Sequence, residues 1–142
     1  MQVRWLNLSA QLRIVDVRTR QNRKLFGGTR SFGYNGSPSP GGVVFIRGRG
    51  PGDRGIDLAL LASDKTRPIT LLEIEGANAG NAWWPMVSPD GSMVAYVRAV
   101  GGDEFVFLFD MATGESRELR RGFFATWVDG DTLLIQDDPE TG

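Results

Sequence analysis

Apolar residues in this chain fall in short runs that alternate with polar ones, and the runs are separated by turn residues. The clearest stretch is Trp84 to Leu119. Pro89-Asp90-Gly91 lies between two apolar runs, and Asp-Gly supplies the positive backbone angles of a tight hairpin. Met93 to Val97 predicts a buried strand. Gly101-Gly102-Asp103 predicts a turn, Glu104 to Asp110 a third strand, Thr113-Gly114 another turn, and 115–119 a polar fourth strand.

Parts of this pattern recur. Upstream, Ser39-Pro40-Gly41-Gly42 with Val43 to Ile46 matches Ser88-Pro89-Asp90-Gly91 and the strand after it. Gly55 to Leu61 is the third strand of that unit, Asp64-Lys65 its turn and Pro68 to Leu72 its fourth strand. Leu12 to Leu25 matches the segment ending at Leu119 without a gap, setting Asp16 against Asp110, Thr19 against Thr113, Arg23 against Arg117 and Leu25 against Leu119. Phe124 to Ile135 matches first and second strands only, with a shortened turn. Four-stranded meanders that run from apolar to polar predict an all-β protein of propeller blades, counted from the axis outward.

These residues resemble the WD-like repeats of TolB-type β-propellers, whose blades carry a Trp-Ser-Pro-Asp-Gly core and an Asp-x-x-Thr-Gly turn. The likeness is plainest in Ser88-Pro89-Asp90-Gly91 and Asp110-Met111-Ala112-Thr113-Gly114, and stays in register over 12–72 and 124–135. Val87 stands where the family has Trp, Gly41 replaces the turn Asp, and the Thr-Gly turns become Thr19-Arg20 and Asp64-Lys65.

The expected organisation is one partial propeller over 1–142. It has outer strands of a half-blade in 1–26, blades in 35–72 and 84–119, and inner strands of a half-blade in 123–136. That is three blades' worth, whereas closed propellers have four to eight. Joined between two chains, the complementary halves would close a six-bladed ring with two composite blades, so a second copy of the chain is the expected partner. The alternative is a piece cut from a longer propeller. Val3 to Leu8 reads as a further second strand that competes with Asp131 to Gln136 for the same place.

Charge is asymmetric within a net charge of −1: ten of the sixteen basic residues but only two of the seventeen acids lie at or before Arg54. Such asymmetry favours association of one chain's start with another's end by steering; the alternative is that the charges cover outer strands and loops. Nineteen glycines and seven prolines suit many turns. There is no cysteine, hence no disulfide framework or thiolate chemistry. No apolar run approaches the ~20 residues of a membrane span. Met1 to Leu12 lacks the pattern of a signal peptide, so the expected location is cytoplasmic as the chain stands, or periplasmic or secreted if a leader was removed.

The absence of histidine excludes imidazole-dependent serine and zinc mechanisms within these residues. Asp129 with Asp131, Asp137 with Asp138 and Asp103 with Glu104 could be imagined as cation ligands or acid–base pairs, but none has calcium-loop spacing, and turns or solvated ends account for them. No cofactor or metal is expected. Arg47-Gly48-Arg49-Gly50-Pro51-Gly52-Asp53-Arg54-Gly55 invites a nucleic-acid reading. It carries no aromatic residue for stacking, so a flexible hairpin loop is expected there and nucleic acid is not an expected partner.

The weak ligand candidates are Trp83, Trp84, Tyr34, Asn35 and Asn81, which fall near one end of their blades at the channel mouth. Trp83 is the preferred contact, while Trp127 is assigned to packing. The expected function is a non-catalytic propeller module that binds a protein, peptide or small ligand at that mouth. The alternative is a non-catalytic fragment or accessory domain of a propeller-containing hydrolase or lyase.

Overall fold

The computed structural model describes residues 10–28, 33–50, 53–78, 81–137 and 139. The strands are β1 (Ala10–Val15), β2 (Asn22–Gly28), β3 (Gly33–Ser39), β4 (Gly42–Gly50), β5 (Asp53–Ala62), β6 (Ile69–Asn78), β7 (Ala82–Val87), β8 (Met93–Val100), β9 (Asp103–Asp110), β10 (Ser116–Arg121), β11 (Phe124–Trp127) and β12 (Leu133–Gln136). They form two four-stranded antiparallel meanders, β3-β4-β5-β6 and β7-β8-β9-β10, and two antiparallel pairs, β1-β2 and β11-β12. The residues 3–8 that sequence set against 131–136 lie outside the described residues.

The turn between β1 and β2 repeats the turn between β9 and β10 bond for bond. Asp16 Oδ1 accepts the N–H groups of Arg18 and Thr19, and Asp110 Oδ1 those of Ala112 and Thr113. Arg20 N–H donates to Asp16 O and Gly114 N–H to Asp110 O, both at 2.8 Å. These bonds give the backbone of a sharp reversal the partners it cannot find in a ladder. The outer strands share a bulge as well: Leu25, Leu71 and Leu119 each fall at the register shift of β2, β6 and β10.

Period-2 alternation then builds the packing between sheets. On β4 and β5, Phe45, Ala59 and Leu61 face the β1-β2 pair and meet Leu12, Leu25 and Phe26. The alternate residues Val44, Ile46, Ile56 and Leu58 face the other way and pack against Val94, Tyr96 and Phe109 of the next sheet. On that sheet, Ala95, Val97, Val106 and Leu108 turn away again, towards Ala125, Trp127, Leu133 and Ile135 of the β11-β12 pair. Sheets stacked face to face along the chain in this way are blades around an axis, with β3, β7 and β11 innermost.

Pro51 and Gly52 lie outside the described residues, but the rest of the arginine–glycine segment differs from the flexible loop expected of it. Arg47 to Gly50 continue β4, and Asp53 to Gly55 begin β5. Asp57, its side chain 5% exposed, anchors the arrangement: its carboxylate accepts from Arg47 Nη2 at 3.3 Å and from Arg49 Nε at 2.7 Å. Two arginines, Arg47 opposite Asp57 in the ladder and Arg49 at the register shift two residues on, converge on one carboxylate where sequence showed only glycine and charge.

Candidate binding surface at the inner strands

The inner strands carry the same irregularity in both complete blades. In β3 the register shifts between Tyr34 and Ser37, and in β7 between Trp83 and Met86, so that Asn35-Gly36 and Trp84-Pro85 are bulges opposite Phe45 and Tyr96. The first bulge residue is left-handed in each case, with φ 54° at Asn35 and 55° at Trp84. Asparagine tolerates that region, whereas a bulky tryptophan there is strained.

Side-chain bonds lace the inner strands across blades. Trp84 N–H donates to Asn35 Oδ1 at 3.2 Å, and Val87 N–H to Ser37 Oγ at 3.1 Å. Tyr34 Oη donates to Ala82 O at 2.7 Å, and Trp127 Nε1 to Met86 O at 2.7 Å. Inner strands are sheet edges, and these bonds satisfy backbone groups that no ladder reaches.

Asn35 and Trp84 are thereby brought together; Tyr34 contributes through Ala82, two residues before Trp84. Trp83 is half-buried against Ala95, Val97 and Val106, so its ring is largely in the packing between blades. Asn81 precedes β7 and accepts the Ala99 N–H at 2.8 Å through its carbonyl. The exposed ring is Trp84, 47% exposed, with its indole edge-on to Phe124 at 6.3 Å and 74°. Phe124 was not among the residues the sequence singled out; the available signal was its place three residues before Trp127, as Trp84 stands three before Val87.

Of the carboxylates considered for chemistry, Asp129, Asp103 and Asp137 have other partners, and Asp138 lies outside the described residues. Asp129 Oδ1 accepts Asp131 N–H at 2.8 Å, and that bond, with Thr132, holds its carboxyl below the usual range. Asp103 pairs with Arg121 and Asp137 with Arg120. Asp90 accepts from Ser92 N–H, from Ser92 Oγ and from Ser88 Oγ, and these bonds bring its pKa down to about 2. Asp16 is lowered in the same manner by the N–H groups of Thr19 and Arg18. Burial pushes the Tyr96 hydroxyl up, against the opposing bond to Ser116 and the charge of Arg98. Among the described residues no cluster of three or more acidic side chains is placed to hold a metal ion, and no helix is long and apolar enough to cross a membrane.

The structure matches TolB from Acinetobacter baumannii with a TM-score of 0.64 over 82% of this chain, at 15% identity. The fold is that of TolB-like β-propeller blades. The match takes in 29% of the TolB chain, so this chain spans well under half of the protein it resembles. No family model matches the chain, and no curated protein matches it.

Proposed function

We propose that this chain is a non-catalytic propeller module whose inner strands present an aromatic surface to an extended peptide. The observation that carries the reading is Trp84, a large aromatic residue held in a strained left-handed conformation with its ring open to solvent beside Phe124. Strain that the surrounding structure maintains is characteristic of a ligand contact, and an indole offers a rigid apolar face with one donor. Asn35 accepts the Trp84 N–H, Tyr34 ties to Ala82 of the same strand, and Trp83 packs between the blades beside it. A second copy of the chain completes the ring that frames this mouth, giving six blades, two of them composite.

The test is selection of a phage-displayed random peptide library against the wild-type chain, followed by titration of the enriched peptides against Trp84→Ala. Enriched peptides that quench tryptophan emission and lose affinity for a folded Trp84→Ala variant support the reading. No enrichment, or equal affinity for the variant, overturns it.

A further inference from the structure

We infer that β12 of one chain pairs antiparallel with β1 of a second copy in a single register, setting Leu134 opposite Ile14, so that β11-β12 and the partner's β1-β2 make one four-stranded blade. The inference deepens the self-completion part of the proposed function and rests on it, but not on peptide binding at Trp84.

The register follows from the two complete blades, which agree. Their second and third strands pair Met93 with Asp110 and Ala95 with Leu108 in one, Gly42 with Ala62 and Val44 with Leu60 in the other. A backbone bond beyond the ladder fixes the same offset in both, from Met111 N–H to Ser92 O and from Ser63 N–H to Gly41 O, each at 2.9 Å. The half-blades carry the matching marks. Leu133 pairs with Trp127 as Val94 pairs with Val87, and Asp16 heads its turn as Asp110 does. Carrying the offset over sets Thr132 opposite Asp16, Leu134 opposite Ile14 and Gln136 opposite Leu12. Val17 N–H then meets the partner's Asp131 carbonyl.

Burial at the equivalent positions singles out what the described residues leave uncovered. Val15 is 54% exposed where its counterpart Phe109 is 2% exposed, and Leu134 is 62% exposed where Ala95 and Val44 are fully buried. Leu119 is exposed, although Leu25 and Leu71 at the same bulge pack onto the following sheet. A groove of about 660 Å³ lies between β1-β2 and the first blade, lined by Leu12, Ile14, Gly36, Pro38 and Val43. In the paired register, the side of β12 that carries Leu134 faces this groove.

Charge selects the occupant. The register places the turn holding Arg18 and Arg20 beside the turn holding Asp129 and Asp131. Opposite charges on two loops of one sequence, brought together by a register that neither loop sets, fit a second copy of this chain better than an unrelated strand.

The sequence has no cysteine, so introduced thiols report without background. Ile14→Cys chains are mixed with Leu134→Cys chains, and separately with Gln136→Cys chains, oxidised, and resolved without reductant; solution mass is measured by light scattering before oxidation. The expected result is a mass of two chains, a covalent dimer from the 14/134 mixture, and its loss from the 14/136 mixture, where the diagonal separation of about 7–8 Å exceeds disulfide reach. A mass of two chains with cross-linking favoured at 14/136 would overturn the register and leave self-completion standing. A mass of one chain, or polydisperse aggregates, would overturn self-completion itself and assign these edges to strands of a longer chain.

Discussion

At the scale of single residues, the repeated turns differ in the strain they carry. Gly114 has φ 74° and Arg20, in the same place of the same hydrogen-bonded turn, has φ 62°. Left-handed backbone costs a side chain about 1–2 kcal/mol, partly offset by the freedom glycine returns to the unfolded chain. Arg20→Gly is therefore expected to stabilise by about 0.5–1 kcal/mol, read as a higher urea midpoint with an unchanged slope. Asp90 gives a pH-dependent counterpart. Its folded pKa of about 2 lies below the ordinary value of 3.8, so the stability it contributes is present above pH 4 and is lost as pH falls through the interval between those values. Urea midpoints of the wild type and Asp90→Asn should differ at pH 6 and converge towards pH 2. A gap that stays constant over that interval would show that the charge on Asp90 contributes nothing through its bonds to Ser88 and Ser92.

At the scale of elements, turns and apolar alternation were readable because both are local. The Asp16 and Asp110 turns, the four-strand order and the alternating faces of β8 and β9 all follow from residues within a few positions of one another. The Ser39 turn was less legible. Ser39 pairs with Gly42 across a two-residue loop, whereas Ser88 N–H bonds to Met93 O across four residues, so Gly41 and Gly42 fill the places of Ser92 and Met93 rather than those of Asp90 and Gly91. The bulges at Asn35 and Trp84 were invisible for the same reason, since a bulge is defined by what lies across the ladder. Of the candidate contacts, Trp83 and Trp84 were distinguishable only after that bulge had reversed which ring faces the packing. The Asp57 cluster also depends on contacts across strands. Removing its carboxylate would leave Arg47 and Arg49 facing each other in a largely buried site. The loss is about 2–3 kcal/mol, below the usual range for a broken buried pair because the arginines are 20% and 26% exposed. Asp57→Ala in urea denaturation checks this, and a loss within a few tenths of a kcal/mol would mean that water already solvates both guanidinium groups.

At the scale of the whole molecule, the sheets stack so that each buries the alternate face of its neighbour. Ile14 and Val15 on one side, and Leu134 and Leu119 on the other, are apolar surface left without cover among the described residues. Unpaired edges of this kind are templates for association, and what separates ordered closure from aggregation is a register that is worth more than its alternatives. In the proposed pairing, charge at the two turns supplies part of that preference. In the proposed dimer, Arg18→Asp should weaken association, because it sets a third carboxylate against Asp129 and Asp131. Combining it with Asp131→Arg should restore the dimer, because the opposite charges are then merely exchanged between the loops. Asp131 is the residue to exchange, since the turn uses Asp129 through its side chain and Asp131 only through its backbone N–H. Concentration-dependent light scattering at low and moderate salt reads both steps. Loss with recovery, each smaller at the higher salt, identifies a screened contact between these loops. Loss without recovery would mean that Arg18 acts within its own turn.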